Sequence, residues 1–242
     1  MTFTYEILGY AIIPVITIVA GGVIGIFRNP GVTFRSSVLH FAAGVVFSVV
    51  AVELLPDIIK NHKPVEVGIG FSLGIMVMLL VKYLSEKLAE RNKAKTSPQV
   101  PYGLLIALLI DLAVDGLLLG VGFAAGKEEG ILLSIALGIE TLSLGLAVAI
   151  ALRQGKILKA KKFLILFILG FTFFAGALLG ISLLSNLTQE VLELVLSFGL
   201  AALLFLVTEE LLTEAHQDKE SPIQTACFFV GFLLFLLLGM MA

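Results

Sequence analysis

The chain has 242 residues, 59% hydrophobic and 14% charged, with a formal net charge of −2 and a mean hydropathy of +1.08. This composition excludes an ordinary soluble domain, so lipid must solvate most of the surface. The small negative charge and the lack of a long basic tract give no support to nucleic acid as a partner. The single cysteine, Cys227, rules out an intramolecular disulfide.

A helix needs about 20 mostly apolar residues to cross ~30 Å of hydrocarbon. Runs free of Asp, Glu, Lys and Arg predict spans at 7–27, 36–52, 67–81, 163–189 and 221–242. Three more, at 96–126, 130–152 and 194–208, lie on or between acidic residues. Eight helical spans therefore fit, in one membrane domain over residues 1–242. The first run is longer than a signal-peptide core and has no basic residue ahead of it, so it is expected to be retained. Long Leu, Ile and Ala runs lack the two-residue alternation of a membrane β-barrel.

Basic residues set the expected orientation. The loops and span ends after spans 1, 3, 5 and 7 hold Arg28, Arg35, Lys82, Lys87, Arg91, Lys93, Lys95, Arg153, Lys156, Lys159, Lys161, Lys162 and Lys219. The opposite side holds only Lys60, Lys63 and Lys127. This bias predicts a multi-pass cell-membrane protein with both termini outward and residues 85–97 as a short cytoplasmic linker.

Span 4 contains Asp111 and Asp115, and span 5 contains Glu140. An acid near the bilayer centre costs roughly 2.5–3.5 kcal/mol on insertion scales, so each is a functional candidate. Asp111 and Asp115 are four apart, on one helical face. They follow Pro101 by ten and fourteen residues, about 15–21 Å at ~1.5 Å each, which is mid-bilayer. Glu140 follows Gly130 by ten residues and enters from the other side to a similar depth. Carboxylates so close repel unless a proton or cation lies between them, and a divalent ion would satisfy all three. No Lys or Arg lies deep in a span to neutralise them.

Other polar residues suggest a path. Glu53 lies toward the outer end of span 2, while His40, Glu209, Glu210, Glu214 and His216 lie toward the inner side. Taken singly they read as interfacial solvation; as a group they mark an entrance and an exit. His62 is expected in an outer loop, solvated. Thr141, Ser143, Ser134 and Ser48 are expected to bond helix backbones. Glycine pairs four apart, such as Gly21/Gly25, Gly70/Gly74, Gly116/Gly120 and Gly176/Gly180, permit close helix packing.

Two internal repeats organise the chain. A shift of 157 residues lays Phe41 on Phe198, Glu53 on Glu210, Leu54-Leu55 on Leu211-Leu212 and Asp57 on Glu214. Spans 2 and 7 run in opposite directions, so the halves are expected to be inverted. A shift of 29 lays span 4 on span 5, Asp111 on Glu140 and Gly116 on Gly145.

These residues resemble the ZIP (zinc–iron permease) family of divalent-metal transporters over nearly the whole chain. The stretch from His40-Phe-Ala-Ala-Gly44 to Glu53-Leu-Leu-Pro56 is similar to that family's second helix. Glu210-Leu-Leu-Thr-Glu-Ala-His216 is similar to its seventh, which usually reads Glu-Leu-Leu-Pro-Glu-Ala. The resemblance implies an all-α, eight-helix bundle with spans 1–3 inverted against 6–8 around spans 4–5. It also implies that spans 1, 4, 5 and 6 move against the rest. The metal motifs depart from the family. Its span 4 carries His-Asn-x-Pro-Glu-Gly, where this chain has Asp111-Leu-Ala-Val-Asp115-Gly116. In span 5 only Glu140 of Glu140-Thr-Leu-Ser-Leu-Gly145 keeps a strong donor, and Thr172-Phe173-Phe174 replaces Thr-Glu-Pro in span 6. A two-metal site reduced to one is implied, with the second position lost at Leu112, Thr141, Leu144 and Phe173. The histidine-rich loop of zinc-handling members is absent from residues 85–97.

The expected function is transport of a divalent cation (Mn, Fe(II), Zn or similar) toward the cytoplasm. Oxygen-only ligands favour the harder ions without excluding zinc. The ion is the substrate, no organic cofactor is expected, and the partners are the bilayer, the cation and a second copy in a homodimer. Three rivals stand beside this reading: a proton relay serving another substrate, a binding or sensing protein without flux, and an intramembrane aspartyl hydrolase. The last needs one Asp on each of two helices with a Gly-x-Gly-Asp motif, which this chain lacks; no enzyme activity is expected.

Overall fold

The computed structural model describes residues 2–28, 31–60, 63–93, 102–153, 157–184, 188–216 and 221–240. His62 and residues 94–97 of the expected linker lie outside them; residues 85–93 continue the third helix. The protein is an all-α membrane protein. Among the described residues, eight helices are long and apolar enough to cross a bilayer. Span 1 is Thr2–Phe27, span 3 Pro64–Lys93, span 4 Tyr102–Ala125, span 5 Lys127–Arg153, span 6 Lys159–Leu184 and span 8 Pro222–Gly239. Spans 2 and 7 are each broken by a π-helical turn. Span 2 runs Val32–Val49, turns at Val50–Leu54 and resumes at Leu55–Lys60; span 7 runs Gln189–Phe205, turns at Leu206–Leu211 and ends at Leu212–Ala215. Apolar side chains such as Ile16, Met76, Leu79, Phe167, Phe171 and Phe229 point outward, as expected where lipid is the solvent.

Four close pairings build the bundle: span 1 with 5, span 4 with 6, span 2 with 8 and span 3 with 7. Glycine brings the backbones together. A Cβ at Gly21 or Gly25 would strike the span 5 backbone at Leu142 or the side chain of Ala149. One at Gly176 or Gly180 would likewise strike span 4 at Ala113 or Gly120. The first set becomes the second when span 1 is advanced by 155 residues and span 5 moved back by 29. The same shifts turn Gly145 against Ile18 into Gly116 against Phe173. In the other two pairs, Gly231 meets the Phe41 carbonyl and Gly74 meets the Phe198 carbonyl, related by the 157-residue shift. That shift also carries one π turn onto the other. The repeat is therefore three-dimensional, and the alternating direction of successive spans makes it inverted.

Span 1 shows how the backbone stays satisfied in lipid. Pro14 has no N–H to donate to the carbonyl of Tyr10, one turn earlier. Ser134 Oγ of span 5 donates to that carbonyl instead, at 2.6 Å. Thr141 Oγ1 is within 3.1 Å of the Pro14 and Gly138 carbonyls and 2.8 Å from Thr17 Oγ1. Ser134 and Thr141 are thus occupied in helix packing. Ser221 and Gln224 cap span 8 reciprocally, with Pro222 opening the helix.

Candidate cation site

Asp115 and Glu140 are each 1% exposed, and neither faces lipid. Asp111 is half-buried one turn from Asp115. The structure brings all three within electrostatic range of one another and adds a fourth acid, Glu210 from the π turn of span 7. The Asp111 and Glu210 carboxyl groups meet within hydrogen-bonding reach. Carboxylates tolerate that approach only with a proton or a cation between them. Among the described residues, no three His, Cys, Asp or Glu side chains are close enough together to hold one ion in this conformation.

The π turn explains how Glu210 reaches the interior. It inserts an extra residue into the helical ladder and rotates the following turn relative to an unbroken α-helix. Residues 206–211 thereby split their roles: Leu206, Val207 and Leu211 are buried, Glu210 turns toward Asp111, and Glu209 stays outside. Glu209 is exposed and paired with Lys82 of span 3 at 2.7 Å. It lines a membrane-facing groove of about 350 Å³ with Phe71, Ile75 and Leu79, away from the carboxylate cluster.

The remaining polar residues gather at the basic face. Arg35 of span 2 is paired with Glu214 of span 7. Ser36 Oγ donates to the Ala215 carbonyl at 3.0 Å. His40, only 3% exposed, donates from Nδ1 to the Ser36 carbonyl at 2.8 Å, and its ring lies 5.2 Å from that of His216 at a steep angle. His216 donates from Nδ1 to the Leu212 carbonyl. A carbonyl only accepts, so both rings carry a proton on Nδ1. Interfacial solvation is therefore not the whole account of His40. The side chain of Glu53 lies outside the described residues; its backbone is in the π turn of span 2.

Two expectations about hydroxyls differ from the structure. Ser48 and Ser143 are buried, yet their Oγ atoms have no hydrogen-bond partner among the described residues. The same holds for Asp115 Oδ2 and Glu140 Oε2. Buried polar atoms without partners are rare, and four along spans 2, 4 and 5 suit a route that water or an ion would fill. Where the resemblance implies that a second metal position is lost, Phe173 is fully buried with its carbonyl against Gly116, and Leu112 is fully buried.

Sequence reasoning passed over Glu193 and Ser197, both fully buried in span 7. The 157-residue shift would have found them, because it lays Ser36 on Glu193 and His40 on Ser197.

Eight membrane-crossing helices enclosing a cluster of carboxylates define a polytopic membrane protein with an acidic interior. The chain belongs to the ZIP zinc transporter family, whose sequence model matches residues 84–239, well over half of its length. Members of that family are transporters of divalent metal ions. No curated protein matches the chain.

Proposed function

We propose that the protein carries a divalent cation across the membrane toward the cytoplasm through Asp111, Asp115 and Glu140, with Glu210 at the inward side of the site. The approach of Asp111 to Glu210 across two spans is the observation that carries this reading, because it extends the acid pair of span 4 toward the basic face. By the positive-inside bias that face is cytoplasmic, which puts both termini outside and the protein in the cell membrane. Glu214, His216 and His40 would then line the exit, and Glu53 the entrance. Carboxylate donors favour manganese or iron(II) and accept zinc. Residues 1–242 form one domain, and a homodimer is its expected assembly. Closure of the acids onto one ion would accompany binding.

The test is metal uptake into proteoliposomes by the wild type and by Asp111→Ala, Asp115→Ala and Glu140→Ala. Uptake should fall at least tenfold in each variant. Unchanged uptake of manganese, iron(II) and zinc in all three overturns the site. A second reading, a proton-driven carrier of another substrate, is favoured by the same Asp111–Glu210 approach, which a shared proton would also satisfy. Proton flux under a pH gradient without metal, lost in Asp111→Asn, would select it.

A further inference from the structure

Spans 3 and 7 touch closely at one end and part at the other. Gly70 and Gly74 of span 3 lie against the Leu194 and Phe198 carbonyls of span 7, where no side chain would fit. Four residues on, the same stripe of span 3 carries Met78 instead of a third glycine. Its side chain is 2% exposed, and enclosing a group of that size holds the two backbones apart. One turn further, Lys82 reaches across to Glu209 at 2.7 Å, with its ammonium 5.8 Å from the centre of the Phe205 ring. Between the glycine contacts and this charged bridge runs the groove of about 350 Å³. Phe71, Ile75 and Leu79 form one wall at four-residue spacing, and Ala201, Phe205 and Glu209 the other. At ~1.5 Å per residue each wall follows its helix for about 12 Å, across the leaflet rather than along it. Thr208 also lines the groove, but its hydroxyl donates back to the Leu204 carbonyl at 2.9 Å. The length of the groove is therefore apolar and its polar chemistry sits at one end.

We propose that this groove holds one phospholipid of the leaflet on the basic face, and that the Lys82–Glu209 pair selects a headgroup carrying a primary ammonium, as in phosphatidylethanolamine. An acyl chain would lie between spans 3 and 7 with its head at the charged end. Lys82 stands five residues inside the end of the crossing segment Pro64–Lys87, roughly 7–8 Å from it, a depth from which its long stem carries the ammonium to headgroup level. The side chains of Lys82 and Glu209 are 35% and 50% exposed, so the pair faces the lipid rather than the bundle. The bond between them uses one of three ammonium protons and one of about four carboxylate lone-pair positions. A zwitterionic head laid head-to-tail on the pair fills the rest: its phosphate accepts from Lys82 and its ammonium donates to Glu209. A quaternary choline has no N–H to donate. A head with a phosphate and no cation sets like charge beside Glu209. The site stands or falls separately from the cation reading above.

Native mass spectrometry of the whole chain in detergent tests both parts, with phosphatidylethanolamine, phosphatidylcholine and phosphatidylglycerol of matched acyl chains as probes. The wild type should retain one phosphatidylethanolamine at least fivefold more tightly than either other lipid. Glu209→Gln should bring the ethanolamine and choline lipids within twofold of each other. Ile75→Trp and Leu79→Trp place larger rings at exposed positions of the groove wall and should lose the retained lipid. Phe167→Trp, on the exposed face of span 6, should keep it. Gel filtration and thermal melts check that each variant folds. Equal retention of the three lipids by the wild type, or a preference that survives Glu209→Gln, overturns the headgroup assignment. Retention unchanged in both groove tryptophan variants overturns the groove. If those variants turn a dimer into a monomer while the lipid stays bound, the groove is an interface between copies and the proposal falls.

Discussion

Glu140→Leu should make the ion-free protein more stable while abolishing its response to metal. Glu140 is 1% exposed and its Oε2 has no hydrogen-bond partner among the described residues. A buried polar group left unsatisfied costs about 1–3 kcal/mol. It also lies within electrostatic range of Asp111, Glu210 and Glu214, so its replacement takes one acid out of a crowded cluster. Leucine has similar volume and no polar atom, so little packing is lost. At ~2–4 °C per kcal/mol for a chain of this size, the melting temperature should rise by roughly 2–12 °C. Wild-type protein at about 100 times the dissociation constant of its ion should gain ~2.7 kcal/mol from binding. The variant should gain none. Thermal melts in detergent, with and without manganese or zinc, read both quantities. A variant that melts below the wild type without metal, or that keeps the metal-induced rise, refutes the reasoning.

Metal affinity should fall as pH is lowered, because the proton competes for the same oxygens; the slope approaches tenfold per pH unit for each proton released, read by calorimetry in two buffers of different ionisation heat. Gly176→Leu should lose at least ~1–3 kcal/mol, because its side chain would meet the Ala113 carbonyl, whereas Gly68→Ala, inside a helix with nothing within 4 Å of the new methyl, should melt no lower than wild type and gain up to ~1 kcal/mol. Phe173→Ala should lose about 3–5 kcal/mol from a side chain with no exposed surface, checked by the same melts.

The spans and the weak repeats were legible because lipid makes apolar length decisive. Residue shifts of 157 and 29, read as weak repeats, reappear as matched backbone contacts. The three interior acids were legible for the same reason: nothing but function or pairing keeps a carboxylate in an apolar run. What could not be read was which helix faces which. Glu209 and Glu210 are adjacent in sequence, and only the π turn sends one outward to Lys82 and the other inward to Asp111. No propensity marks a π turn within a run of Leu, Val and Glu. Ser134 was assigned correctly to backbone bonding, but Ser48 and Ser143 were not, because partner supply depends on which kinked carbonyls lie opposite.

The repeat also exposes where the site departs from symmetry, at Asp115. The 29-residue shift carries Asp111 to Glu140 and Gly116 to Gly145, but Asp115 to Leu144. Span 4 therefore presents two carboxylates four residues apart, while span 5 presents one carboxylate and a leucine that is 6% exposed. A cation moving between the halves meets unequal charge, so the half carrying Asp111 and Asp115 should hold it more tightly. Leu144→Glu would restore the missing donor on the face of Glu140, since residues four apart align along a helix. Metal analysis of the purified variant should then find a second ion per chain where the wild type holds one. Stoichiometry unchanged at one, in a variant that still folds, would show that Leu144 points away from the ion route and that the asymmetry has no bearing on binding.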